Sequence, residues 1–170
     1  SYPLFSSIVE RQYQKDAVAT YTKEVESFEE EDTQKYLDEA NKYNSMLYQS
    51  SGMVVGELDD GILSEESYNN ILNVVGTGVM GSIEIPKINV NLPIYHGTSD
   101  EVLSTAIGHL EGSSLPVGGS NTRTILTGHR GLPNSKLFTR LDELETGDLF
   151  FINVLDETLA YKVTEIKVIK

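Results

Sequence analysis

The sequence predicts a mainly β domain that carries α-helices at its N-terminus. Two periodicities and the break between them predict it. Apolar residues recur at three- and four-residue steps through residues 6–49, the spacing of one helix face. From residue 80 short stretches alternate polar and apolar side chains, the period of half-buried strands. The tract between, rich in glycine and asparagine, keeps neither period for long. The chain therefore divides into a helical extension (residues 1–49), a loop region (50–79) and a β-barrel (80–170).

In the helical part, Ile8, Val9, Tyr13, Ala17, Tyr21, Val25 and Phe28 form one stripe. Ser7 followed by Glu10 fits a capping box. Glu29, Glu30, Glu31 and Asp32 interrupt the stripe, and Tyr36, Leu37, Ala40, Tyr43 and Leu47 begin a second. Asp32 or Thr33 is the expected cap, with acids in the first turn suiting the helix dipole. The acidic run lacks the alternating oxygen spacing of a calcium loop and reads as a solvated helix junction.

In the loop region Gly52, Gly56, Gly61, Gly76 and Gly78 punctuate the chain. Helical spacing survives only over residues 64–72, with Ser64 placed to cap it. Long ordered excursions of this kind are often lids or binding loops.

In the third part residues 82–85 and 88–92 alternate, with Pro86 and Pro93 expected to end them. Thr98 or Ser99 caps a short helix to about residue 107. Residues 122–127 are β-branched and strand-like, 134–144 are helical in spacing, and 149–154 and 159–169 are two further strands. Short strands with brief helices between them suggest a closed or nearly closed barrel. Residues 159–169 stay apolar up to Lys170, so the expectation is of a strand with an unpaired edge, continued in sequence that lies outside this chain.

Composition narrows the function. Of the 170 residues 39% are hydrophobic, and the net charge is −13. Residues 1–85 hold 16 acids and 5 bases, residues 86–170 hold 10 and 8, so the acidity belongs to the first half. Nucleic acid is excluded as a partner by repulsion of phosphates, and direct binding to an anionic lipid surface by the same force. No apolar run is long enough to cross a membrane. There is no cysteine, so this chain supplies no disulfide, thiolate metal site or thiol nucleophile.

The strongest candidate for chemistry is Thr127-Gly-His-Arg-Gly-Leu-Pro133, where a strand opens into a glycine-flanked turn at His129. A strand-end imidazole reaches solvent and titrates near neutrality, as general acid–base work requires. His96 and His109 read as structural residues. Their spacing resembles no zinc pattern, and neither a metal nor a cofactor is expected. No GxSxG elbow occurs, and the GxGxxG at residues 76–81 precedes a strand instead of following one, which removes the dinucleotide reading.

Four segments in order carry a resemblance. They are Gly81-Ser-Ile-Glu-Ile-Pro-Lys-Ile-Asn89, Leu92-Pro-Ile-Tyr-His-Gly-Thr98, Gly108-His-Leu-Glu-Gly-Ser-Ser-Leu-Pro-Val-Gly-Gly119 and Thr127-Gly-His-Arg-Gly-Leu-Pro133. Together they resemble class C sortases, the pilin-polymerising transpeptidases of Gram-positive bacteria. The resemblance covers residues 76–170 closely and residues 1–75 in kind, as an acidic helical extension. It implies a sortase-type eight-stranded β-barrel whose last two strands are missing from this chain. It places the family's catalytic histidine on His129. The family's cysteine, in a TLxTC strand, and its arginine, on the next strand, both fall beyond Lys170, so the fragment alone is expected to be inactive.

The implied substrates are pilin proteins with an LPxTG-like sorting signal and an acceptor lysine. The implied location is the outer face of the cell membrane, anchored by segments outside this chain. One departure concerns the lid, which in class C sortases carries an Asp-Pro-aromatic motif. The corresponding residues here include Glu57, Leu58, Asp59 and Asp60, with the acids but neither proline nor aromatic, and a weak lid is expected. A sortase that anchors proteins to peptidoglycan and a non-enzymatic pilus module remain the alternatives.

Overall fold

The computed structural model describes residues 2–50, 61–129 and 140–169, with side chains from Gln12 onward. Helix α1 (Tyr2–Glu26) and helix α2 (Glu30–Ser50) form the N-terminal region. Ser6 and Ser7 lie inside α1, so the helix starts earlier than the expected capping box. Helix α2 starts before the expected cap as well. Glu30, Glu31 and Asp32 make up its first turn, and the Asp32 carboxylate accepts from the Glu29 amide at 3.2 Å. At the junction Phe28 and Tyr36 stack with ring centres 5.5 Å apart.

After α3 (Glu65–Asn70) come β1 (Val79–Ile85), β2 (Val90–His96), α4 (Asp100–Thr105), β3 (Ile107–His109), β4 (Leu126–Thr127), β5 (Leu149–Val154) and β6 (Glu157–Lys162). Both short helices are capped as expected. Ser64 Oγ accepts from the Ser67 amide at 3.1 Å, and Ser99 Oγ from the Val102 amide at 3.3 Å. The strands form one mixed sheet in the order β4-β3-β2-β1-β5-β6, antiparallel except for the β2–β3 pair.

Several elements differ from expectation for local reasons. Pro86 opens a 3-10 turn (Pro86–Ile88) that Asn89 closes in the left-handed region, φ 54°, which reverses the chain into β2. Strand β2 runs through Pro93 instead of stopping there. Pro93 lies opposite Ser82 in β1, while the β3 ladder begins only at Ile94, so proline's missing N–H costs no bond on that side. Helix α4 ends at Thr105, and Ile107 belongs to β3. Strand β6 stops at Lys162, and residues 163–168 are not in a strand. Among the described residues β6 pairs only with β5 and is a sheet edge.

The main core gathers Ile83, Ile85, Leu92, Ile94, Ile107 and Ile152 of the sheet with Ala40 and Tyr43 of α2 and Tyr68 of α3. Burial of these side chains is the main force holding α2 and α3 to the sheet. Two polar devices add direction. Asn44 of α2 donates its amide to the Leu115 carbonyl at 3.1 Å and accepts from the Leu115 N–H at 2.7 Å, standing in for a backbone partner. Tyr21 of α1, 3% exposed, donates to the Met80 carbonyl at 3.0 Å and accepts from the Leu155 N–H at 2.9 Å. Burial pushes its hydroxyl up to about 12, against the bond from Leu155.

Candidate active site

His129 follows β4 by one intervening residue, Gly128. In the antiparallel register Gly108 lies opposite Thr127 and His109 opposite Leu126. As the chain runs on through Thr127 it therefore moves toward the N-terminal end of β3, away from His109. His129 is half-buried and has no hydrogen bond or ion pair with any described residue. Its ring nitrogens are thus uncommitted to described groups, as a proton carrier needs.

The segment that presents His129 is held unusually. The strand expected over residues 122–127 is reduced to Leu126–Thr127 because its backbone groups bond to serine hydroxyls and loop atoms instead of a ladder. The Ile125 N–H donates to Ser113 Oγ at 3.1 Å, and the Arg123 N–H to Ser114 Oγ at 2.8 Å. The Ile125 carbonyl accepts from Leu110 N–H at 3.0 Å, and the Arg123 carbonyl from Ser114 N–H at 2.9 Å. Ser113 and Ser114, which read as plain loop residues in sequence, are the supports of this segment. Both are buried and follow a turn at Gly112, and nothing in the local sequence marks them as supports.

The other two histidines are committed. His109 is fully buried in β3. Its Nε2–H donates to the Ser114 carbonyl at 2.7 Å, and its Nδ1 lies 2.7 Å from the Tyr68 hydroxyl, which also lies 3.1 Å from the His109 carbonyl. Ser113 Oγ lies 3.1 Å from the same Nε2 and itself donates to the Leu110 carbonyl. Burial drives His109 down to about 4, opposed by the Ser114 carbonyl and assisted by the charge of His96. The ring is therefore neutral near neutral pH. The Tyr68 hydroxyl also accepts from the Gly97 N–H at 3.1 Å, and burial raises it well above its ordinary range. His96 at the end of β2 has both ring nitrogens on backbone carbonyls, of Gly78 at 2.7 Å and Ile71 at 2.6 Å.

With His96 and His109 engaged by protein groups, no three-histidine zinc site forms. No three His, Asp or Glu side chains converge as metal ligands among the described residues. Glu57, Leu58, Asp59 and Asp60 lie outside the described residues. The described part of that loop region makes its recorded bonds at the His96 end of the sheet and none to His129.

The arrangement can move a proton at His129 beside a rigid strand, and it offers no nucleophilic thiol of its own. Comparison with known proteins shows what the chain is similar to. The family profile of the sortase domain matches residues 83–170. The crystal structure of sortase C1 from Streptococcus agalactiae superposes with a TM-score of 0.79 at 47% identity, covering 89% of this chain and 77% of that one. The sortase C of Streptococcus pneumoniae gives 0.72 at 36%, covering 88% and 74%. Sortase D of Bacillus subtilis is 35% identical over 89 residues, 52% of this chain and 42% of its own length. The chain spans half or less of the curated relatives it matches, 42% of sortase D and 50% of a sortase A from S. agalactiae.

Proposed function

We propose that the complete protein is a cysteine transpeptidase, from the premise that this chain belongs to the sortase domain family. The observation that carries the reading is His129: a half-buried histidine, unpartnered among described residues, at the open end of a braced strand. In the proposed reaction a thiolate from outside this chain attacks the Thr–Gly carbonyl of an LPxTG-like sorting signal. A thioester forms, the C–N bond breaks, and His129 as imidazolium gives its proton to the leaving glycine amine. The neutral ring then takes a proton from an incoming amine, which attacks the thioester and releases the thiolate. An arginine, also from outside this chain, steadies the oxyanion.

The finer reading is class C, with lysine amines of pilins as acceptors and work at the outer face of a Gram-positive membrane. It is supported by extent. The matches to sortase C structures take in 88–89% of the chain, too much to leave out both α1 and α2. The sequence match to sortase D takes in 52% of the chain, and that to the sortase A from S. agalactiae 75%. On this reading Glu57, Leu58, Asp59 and Asp60 occupy the place of the family's lid and hold it weakly.

The acceptor decides between the readings. Full-length enzyme is given a sorting-signal peptide with a lysine-bearing pilin domain and a cell-wall stem-peptide amine in competition. Joining to the pilin lysine is expected. Joining to the stem-peptide amine alone would establish the anchoring type, and joining to neither would end the transpeptidase assignment.

A further inference from the structure

His96 has a geometry that one protonation state alone satisfies. Nδ1 lies 2.7 Å from the Gly78 carbonyl and Nε2 lies 2.6 Å from the Ile71 carbonyl. A carbonyl only accepts, so both ring nitrogens must donate, and neutral imidazole carries one N–H. In the neutral ring one lone pair would face a carbonyl oxygen at under 3 Å. The Gly78 carbonyl also accepts from the His96 backbone N–H at 3.0 Å, so ring and backbone of His96 meet on the same oxygen.

The two carbonyls bracket a loop. Ile71 closes α3, and Gly78 immediately precedes β1. Between them Leu72 is fully buried with φ 62°, a left-handed conformation that a branched side chain rarely adopts. Asn73 Oδ1 accepts from the Gly78 N–H at 2.8 Å, so the loop also ties to itself. The loop thus holds an unfavourable backbone angle, and the ring of His96 joins its two ends.

We propose that His96 is a charge-dependent clasp. As the imidazolium it donates to Ile71 and Gly78 together and holds residues 71–78 onto the end of β2. On losing a proton it releases one of the two carbonyls and loosens the loop.

His109, the register partner of His96 in β3, faces one carbonyl and one hydroxyl, and a hydroxyl can give or take a proton, so the neutral form satisfies both. Tyr68 of α3 meets His96 edge-on at 5.1 Å, and Tyr43 of α2 packs behind Tyr68. Tyr13 of α1 lies by Tyr95, and Glu111 acts on Tyr68 and Tyr43 from the turn after β3. Tyrosine hydroxyls are neutral near neutrality, and Glu111 is recorded only against Tyr68 and Tyr43.

The test is a pH series from about 5 to about 8, the span in which imidazole changes charge, on 15N-labelled full-length protein. Ring nitrogen signals of His96 are assigned by their loss in His96→Gln. Both nitrogens are expected to be protonated at the acid end and one to lose its proton on the rise. In step, protection factors of the Asn73, Gly78 and His96 amides, corrected for base catalysis, should fall roughly fivefold, the loss of one net hydrogen bond. In His96→Gln the protection should be low throughout, without the step. A single neutral tautomer of His96 across the series would overturn the proposal, and so would loop protection that ignores its titration. If the glutamine variant does not fold, the wild-type series decides alone, with His96 assigned through its short bond to Gly78.

Discussion

At the C-terminal end of β3, His109 has both ring nitrogens bonded and is sealed from water. Past β4, toward the other end of the same short strand, His129 is half-open and bonds to no described residue. The two residues are the same chemically and opposite in use. His109 works by never changing charge, because Tyr68, Ser113 and Ser114 are arranged around one tautomer. His129 is available because nothing described satisfies it. They are also connected: Ser113 touches His109 on one side and holds the Ile125 N–H of the His129 segment on the other. The wired end thus braces the open one.

The largest expected effect separates the two. In full-length enzyme His129→Ala should lower transpeptidation by about 100- to 10,000-fold, the usual contribution of a positioned acid–base group, with thermal stability unchanged. Steady-state turnover and a melting curve check both halves. Wild-type turnover would show that the open histidine is not the proton carrier.

The next effect belongs to His109 and appears as pH dependence of stability. Its usual 6.5 falls to about 4 in the fold. Between those values the unfolded chain binds a proton that the folded one refuses, so unfolding becomes easier as pH falls through this window. The contribution is about 3 kcal/mol, absent above the window and complete below it. Urea unfolding at both ends of the window, in wild type and His109→Gln, measures it. An equal acid loss in the variant would mean that carboxylates account for the slope.

A smaller effect probes the strand between them. A Cβ at Gly108 would run into the Gly97 carbonyl and stand 3.1 Å from Leu103 Cδ2. Gly108→Ala should cost about 2 kcal/mol, an overpacking penalty, and reduce turnover together with stability because β3 serves both ends. Loss of one without the other in paired stability and activity assays would show that the ends are independent.

How much of this could be read in advance depended on the range over which each residue acts. Strands β1 and β5 show clear alternation or apolar runs; β5 lies where the pattern put it, and β1 begins three residues before the expected 82–85. Ser64 and Ser99 act within three residues, and their caps were readable for that reason. Strand β3 was not, because Ile107–His109 is three residues long, buried on both faces and therefore without alternation. Proline at 93 misled, since a missing N–H matters only where a ladder neighbour exists. The position of His129 was legible from its turn and its motif. The groups that brace it were not: Ser113 reaches Ile125 twelve residues on, Tyr68 reaches His109 across forty-one, and Asn44 reaches Leu115 across seventy-one. Such bonds exist only once the chain is folded, and no local pattern announces them.

Tyr21 has a consequence for the order of events during folding. Its hydroxyl joins Met80, fifty-nine residues away, to Leu155, one hundred and thirty-four residues away. Neither partner is in position until β1 and β5 have paired and the chain has turned at Leu155 toward β6. Closing so long a loop is entropically slow, and contacts of this separation form late. Helix α1 is therefore made early in synthesis, and its bond to Leu155 is made late. Until the β5–β6 hairpin arrives Tyr21 lacks one of its two partners, and its second bond reports that the chain has turned at Leu155.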